Sequence, residues 1–267
     1  MNNVFSYIFL FFVLSAASIK IWLSWRQITT VRLHEDRVPN AFSEDISLEA
    51  HQKAAKYTVA KMKLSNVSTV IDTVLLLALT FGGILNWLFE ISAFTSEGNI
   101  LPGLVFFGLL GLLITAAQLP LDLYKTFILE EKFGFNKMSP SLFVKDFFVG
   151  LIVSAIIGAI FIAGLLWVME TAGVNWWLYA WLLTISFWFF IQYISPTVLA
   201  PMFNKFSPLE NDNLKERIEE LLIKCGFQSS GLFVMDGSRR SSHGNAYFTG
   251  FGKSKRITFN LNFQKMP

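Results

Sequence analysis

The chain has 267 residues, of which 53% are hydrophobic and 16% aromatic, including 28 Phe and 8 Trp. Only 15% are charged and the formal net charge is +3, a balance that excludes an ordinary soluble globule, which carries more charge and fewer aromatics. The small net charge, with no basic run longer than Lys253-Ser254-Lys255-Arg256, excludes nucleic acid as a partner, and the single Cys225 excludes an internal disulfide.

Five stretches, near 4–22, 67–91, 101–124, 147–169 and 174–199, approach or exceed the roughly 20 apolar residues that a helix needs to cross a bilayer. Met1-Asn2-Asn3 lacks the positive charge of a signal peptide, so the first stretch reads as a retained span. All 22 Lys and Arg except Lys20 fall in the loop 26–66, the loop 125–146 or the tail after span five. The amino terminus and the stretches 92–100 and 170–173 hold none. Such alternation places the basic loops and the tail in the cytosol and the amino terminus outside or in a lumen, in a bacterial inner membrane or the endoplasmic reticulum. The expected fold is an all-α polytopic membrane protein. About five transmembrane helices over 1–200 precede a small, incomplete α+β cytosolic segment over 201–267, and the lipid bilayer is the first partner.

In chain order, the first loop turns at Pro39, and Leu48, Ala55, Val59 and Met62 space a helix that starts near Ser47. His34 and His51 lie among charges and read as surface residues. After span three, Gly134 between Phe133 and Phe135 suits a sharp turn, with both rings anchoring it in the membrane interface. Ser195-Pro196 and Ala200-Pro201 break the fifth helix. Ser207-Pro208-Leu209-Glu210 has the form of a capping box and starts a helix over 208–225 whose face is Leu214, Ile218, Leu221 and Leu222. Gly226 closes it. Strands are expected near 231–235, 245–251 and 257–263, the first ending at the turn dipeptide Asp236-Gly237.

Several runs occur in a telling order after the third span: Tyr124-Lys125-Thr126-Phe127 with Glu130 and Phe133-Gly134-Phe135-Asn136-Lys137, then Phe203-Asn204-Lys205-Phe206, Pro208-Leu209-Glu210, Asp236-Gly237-Ser238 and His243-Gly244-Asn245-Ala246-Tyr247-Phe248. Together with the five spans they resemble the type 1 CAAX prenyl protease family of membrane-embedded zinc metallopeptidases. The resemblance implies helices around a chamber, a prenylated peptide as partner, and a zinc-activated water that cleaves the bond after the prenylated Cys. It makes 201–267 the truncated start of a metallopeptidase domain. It also implies that Asn245, Ala246 and Tyr247 line the substrate as an edge strand, pairing with it by β-augmentation. Read without the resemblance, the same residues make a plain sheet strand. Gly244 stands where the family carries Ser, and the resemblance is expected to fade after Ile257.

The histidines are His34, His51 and His243, no two of them four apart, so no helical face offers two imidazoles to a metal. The chain is therefore expected to hold no metal ligand and no catalytic residue of its own. Zinc belongs to the complete family enzyme, and the 267 residues alone are expected to be inactive. A stop, a frameshift or a fragment accounts for this, as does a second chain carrying the missing carboxyl-terminal half. Two other classes stay open: a non-enzymatic binding or regulatory membrane protein, and a transporter using Asp72 and Asp122 within its apolar spans.

Overall fold

Inside a bilayer every backbone N–H and C=O must be satisfied within the chain, and a run of apolar residues meets that demand as helix. The computed structural model describes residues 3–93, 100–227, 229, 231–249 and 255–260. Among them five helices are long and apolar enough to cross a membrane: Val4–Leu33, Leu48–Thr80, Ile100–Glu130, Pro140–Thr171 and Gly173–Phe203. The protein is thus a polytopic helical membrane protein with a small α+β end. Local chemistry sets several helix starts. The Oδ1 of Asn3 accepts from the N–H of Phe5 at 3.3 Å, the Oγ of Ser47 from Ala50 at 3.2 Å, and the Oγ of Ser139 from Leu142 at 3.2 Å, with Pro140 preset for the first turn.

The helices overrun the apolar spans. Helix α1 is Val4–Leu33 and α2 is Leu48–Thr80, so the expected loop over 26–66 is confined to the segment between them. Charge ends the lipid-facing stretch, but Arg, Lys, Gln and Glu are good helix formers and the hydrogen-bond ladder continues through them. The second expected span, 67–91, is divided. Gly82 and Gly83, the latter at φ +76°, end α2 and turn the chain into α3, Ile84–Ala93. Helix α4, Ile100–Tyr124, passes into a π turn at Lys125–Glu130 where a loop is expected. Helix α5 is Pro140–Thr171 and α6 is Trp176–Ile194. The chain then widens into a π turn at Ser195–Leu199 before α7, Ala200–Phe203. Pro196 does not break the helix, because the wider turn relieves the clash of its ring with the preceding turn's carbonyl.

The chain forms two compact units, Met1–Glu97 with Val105–Phe133, and Gly98–Leu104 with Gly134–Pro267. In the first, Ser24 Oγ on α1 donates to the Met62 carbonyl on α2 at 3.5 Å. Tyr57 donates its hydroxyl proton to Glu130 Oε1 at 2.7 Å, and its ring meets Phe133 edge-on at 5.1 Å. Phe133 is only 7% exposed, so it is a packing residue and not the interface anchor expected of it.

In the second unit α5 and α6 stack Phe161 on Phe187 at 4.6 Å. A four-stranded sheet follows in the order β1-β2-β4-β3. Strand β1, Phe206–Pro208, runs antiparallel to β2, Gly231–Met235. Strand β4, Arg256–Asn260, runs parallel to β2 and antiparallel to β3, Ala246–Thr249. Helix α8, Asp212–Lys224, is capped by Asn211, whose Oδ1 accepts from Leu214 N–H at 3.0 Å. The expected capping box at Ser207 is therefore wrong: Ser207 and Pro208 lie in β1, a strand the hydrophobic pattern does not announce. Leu209, Leu232, Val234 and Phe259 form the core, with Leu214, Ile218, Leu222 and Ile257 against it. Leu221, assigned to the same helix face, is 58% exposed and lies at the edge of the stripe made by Leu214, Ile218 and Leu222. Residues 250–251 and 261–263 of the expected strands lie outside the described residues.

Candidate functional site

A basic side chain organises the turn that leads into β3. Asp236, Gly237 and Ser238 follow β2. Ser238 Oγ donates to Asp236 Oδ1 at 2.9 Å, and the amides of Arg240 and Ser241 donate to the Gly237 carbonyl at 3.0 and 3.1 Å. This coil aims Arg240 at four acceptor atoms on three residues. Its Nε and Nη2 reach Asp146 Oδ2 and Oδ1 at 2.7 and 3.1 Å, its Nη1 reaches Asn204 Oδ1 at 2.8 Å, and Nη2 also reaches the Phe203 carbonyl at 2.7 Å. A planar guanidinium suits such a fork, and a lysine would not reproduce it. The backbone then docks on the segment after Gly134, whose φ is +78°. Lys137 N–H donates to the Arg240 carbonyl at 3.1 Å and Ser242 N–H to the Phe135 carbonyl at 3.0 Å. Nothing in the local pattern marks Asp146 or Arg240 as partners, since 94 residues separate them.

Strand β3 lies at the edge of the sheet. Asn260 N–H donates to the Asn245 carbonyl at 2.8 Å, and the register pairs Ala246 with Phe259 and Tyr247 with Thr258. Alternation along an antiparallel pair then turns the backbone groups of Asn245 and Tyr247 toward β4 and those of Ala246 and Phe248 away from it. Among the described residues that outer edge has no strand partner. Asn245 and Ala246 are exposed and Tyr247 is half-buried, its hydroxyl donating to Met235 Sδ at 3.6 Å. The three residues named from the sequence thus come together, but in different roles. Ala246 presents backbone, Asn245 presents a side chain, and Tyr247 is committed to the sheet. Phe248, not among them, shares the outward backbone of Ala246.

The loop before β3 is pinned by Asn260, which is 8% exposed and donates Nδ2 to the His243 carbonyl at 2.9 Å. Gly237 makes this possible: a Cβ there would lie 2.7 Å from Asn260 Nδ2. The His243 ring stacks on Phe135 at 4.2 Å. His51 donates Nε2–H to the His34 carbonyl at 2.9 Å, and His34 donates Nδ1–H to the Thr30 carbonyl at 2.8 Å, so both serve local structure.

A model of the CAAX prenyl protease N-terminal region, described by five membrane helices, matches residues 27–205, and peptidase family M48 matches residues 208–263. The chain belongs to the CAAX prenyl protease family. It is 33% identical over 243 residues to the CAAX prenyl protease 1 homolog of Arabidopsis thaliana, covering 88% of this chain and 57% of that protein. With CAAX prenyl protease 1 of Saccharomyces cerevisiae it shares 34% over 261 residues, covering 92% and 56%. With the Homo sapiens homolog it shares 36% over 228 residues, covering 82% and 48%. The crystal structure of S. mikatae Ste24p superposes with a TM-score of 0.87 at 31% identity over 98% of this chain and 62% of that one. The chain spans about half the length of the curated relatives it matches. The CAAX prenyl protease likeness does not fade after Ile257 as expected: the family M48 match runs to residue 263, and Phe259 and Asn260 belong to the core and to the loop clamp.

Among the described residues, two of the cavities of this CAAX prenyl protease family member lie in the first unit. One, of about 840 Å³, has apolar walls from Val59, Leu64, Leu121 and Leu129 and cations from Arg32, Lys56, Lys63 and Lys132. The other, of about 520 Å³, is polar, lined by Lys20, Ser24, Gln27, Asn66 and Asp72 among others. Asp72 accepts from Ser68 Oγ at 3.3 Å and from Gln118 Nε2. Asp122 is not among the residues that line it. Among the described residues no three His, Cys, Asp or Glu side chains converge. The described side chains therefore do not fit the zinc that the family implies.

Proposed function

We propose that this chain supplies the membrane-embedded body and the substrate-holding strand of an endopeptidase acting on prenylated CAAX-type peptides. The observation that carries the reading is the outward backbone of Ala246 and Phe248 on an edge strand whose lead-in loop is clamped by Asn260 and Arg240. An extended peptide pairs with such an edge through its own N–H and C=O groups, and a rigid edge holds the bond to be cut in register. The exposed side-chain amide of Asn245 adds hydrogen bonds to that peptide. The segment from residue 201 onward is the start of the metallopeptidase domain. The five-span region before it crosses a bacterial inner membrane or the endoplasmic reticulum, with its basic loops cytosolic.

As a 267-residue polypeptide the chain binds no catalytic zinc and cleaves no peptide. Stoichiometric zinc after purification, together with chelator-sensitive hydrolysis, overturns this. The strand is tested in an enzyme that joins these residues to a family carboxyl-terminal half. Ala246→Pro deletes an N–H on the open edge, where an edge strand tolerates Pro, and leaves the β3–β4 bonds of Asn245 and Tyr247 intact. It lowers kcat/KM by about tenfold, the worth of one backbone hydrogen bond to substrate, with protease resistance in detergent unchanged. Values within about twofold of the parent for both Ala246→Pro and Asn245→Ala make the strand scaffold only, since that loss is under ~0.5 kcal/mol.

A further inference from the structure

The start of α5 borders a cavity of about 530 Å³ lined by Lys137, Ser139, Ser141, Lys145, Arg239 and Arg240, with Asp146 beside them. Asp146 is already matched by Arg240 through two hydrogen bonds. Lys137, Lys145 and Arg239 are exposed and have no carboxylate partner among the described residues. The cavity therefore gathers three uncompensated positive charges around two hydroxyls, Ser139 Oγ and Ser141 Oγ, that stand 3.1 Å apart. Several cations with hydroxyl donors match an anion that carries several oxygens and more than one negative charge, as a phosphate does.

The position of the cavity indicates what carries that phosphate. Helix α5 is long and apolar enough to cross a membrane, and the cavity sits at its first turns, where Lys and Arg side chains lie at headgroup level. On the same stretch Val144 and Phe148 are 52% and 54% exposed. Phe148 is one turn beyond Lys145 on the same face, so apolar surface for an acyl chain continues from the charged mouth into the hydrocarbon. We propose that this cavity takes the phosphate headgroup of an anionic membrane lipid. The side chains that carry the site's charge, Lys137, Lys145 and Arg239, play no part in the substrate-strand reading, so the two stand or fall separately.

The test is lipid retention by the full chain purified in detergent, read by native mass spectrometry with dioleoyl phosphatidic acid or phosphatidylcholine supplied in mixed micelles. The wild type retains phosphatidic acid in preference to phosphatidylcholine. The triple variant K137Q/K145Q/R239Q, in exposed side chains, retains at least tenfold less. Lys145→Glu alone gives a graded loss. The variant K215Q/R217Q/K224Q removes the same charge from the exposed face of α8 and retains as much as wild type. Equal retention by wild type and the first triple variant, or equal losses in both triples, overturns the site. Inorganic phosphate is the third probe: if it binds as tightly as phosphatidic acid, the lipid assignment is overturned.

Discussion

Truncating Arg240 to Ala removes four hydrogen bonds, two to Asp146 and one each to Asn204 Oδ1 and the Phe203 carbonyl. Bonds to a charged group are worth about 1.5–3 kcal/mol each when buried. The Arg240 and Asp146 side chains keep 22% and 19% of their surface, so water takes up part of the loss. A net cost of about 2 kcal/mol for opening the turn follows. In amide hydrogen exchange that is about a 30-fold faster rate at Lys137, Ser241 and Ser242, whose N–H groups close the turn on itself and on the segment after Gly134. Asp146→Ala speeds the same amides comparably. The double variant adds little beyond Arg240→Ala, because that change already removes both bonds to Asp146. Exchange within about twofold of wild type in the single variants, or strictly additive effects in the double, refutes the claim that this ion pair holds the lead-in to β3.

Gly237→Ala places a methyl 2.7 Å from Asn260 Nδ2, a buried group held by the His243 carbonyl. It lowers stability by about 1–3 kcal/mol, seen as a lower apparent melting temperature in detergent, and an unchanged melting temperature refutes the clash. Gly134→Ala forces a Cβ into φ +78° and costs about 1–2 kcal/mol in the same assay, where any stabilisation contradicts the strain. Tyr57→Phe deletes the 2.7 Å hydrogen bond to Glu130 and destabilises the first unit by about 1–2 kcal/mol; tryptophan fluorescence on heating reads the shift, and an unchanged transition makes that bond silent. Reporters fused after Lys137 read as cytosolic and after Gly173 as external or lumenal; the reverse at both sites overturns the orientation.

Hydrophobic run length and Lys/Arg placement are local properties, and they determined the class of the protein and its five spans, while turn residues and polar–apolar alternation gave the approximate place of the last three strands. A helix in lipid needs only its own residues to satisfy its backbone, so its existence is legible in sequence. Its ends are less so, because polar residues extend α1 and α2 beyond the lipid and the Gly82-Gly83 pair divides an apolar run without changing its hydropathy. Motif order pointed to Asn245, Ala246 and Tyr247, and Ala246 does lie on the open edge.

Only the tertiary structure decided which strand neighbours which. Strand β1 is three residues long with no pattern of its own, and it exists because β2 offers it an edge. Strand β4 became a central strand, with Thr258 and Asn260 buried beside Phe259, although alternation of polar and apolar residues suggested one wet face. The pairing parity of β3, which turns Ala246 and Phe248 outward, follows from a single bond between Asn260 and Asn245. The Arg240–Asp146 pair likewise joins residues that meet only when the chain has folded. Hydrogen-bond partners distant in sequence leave no periodic trace, and this is the physical reason that the strand was legible and its supports were not.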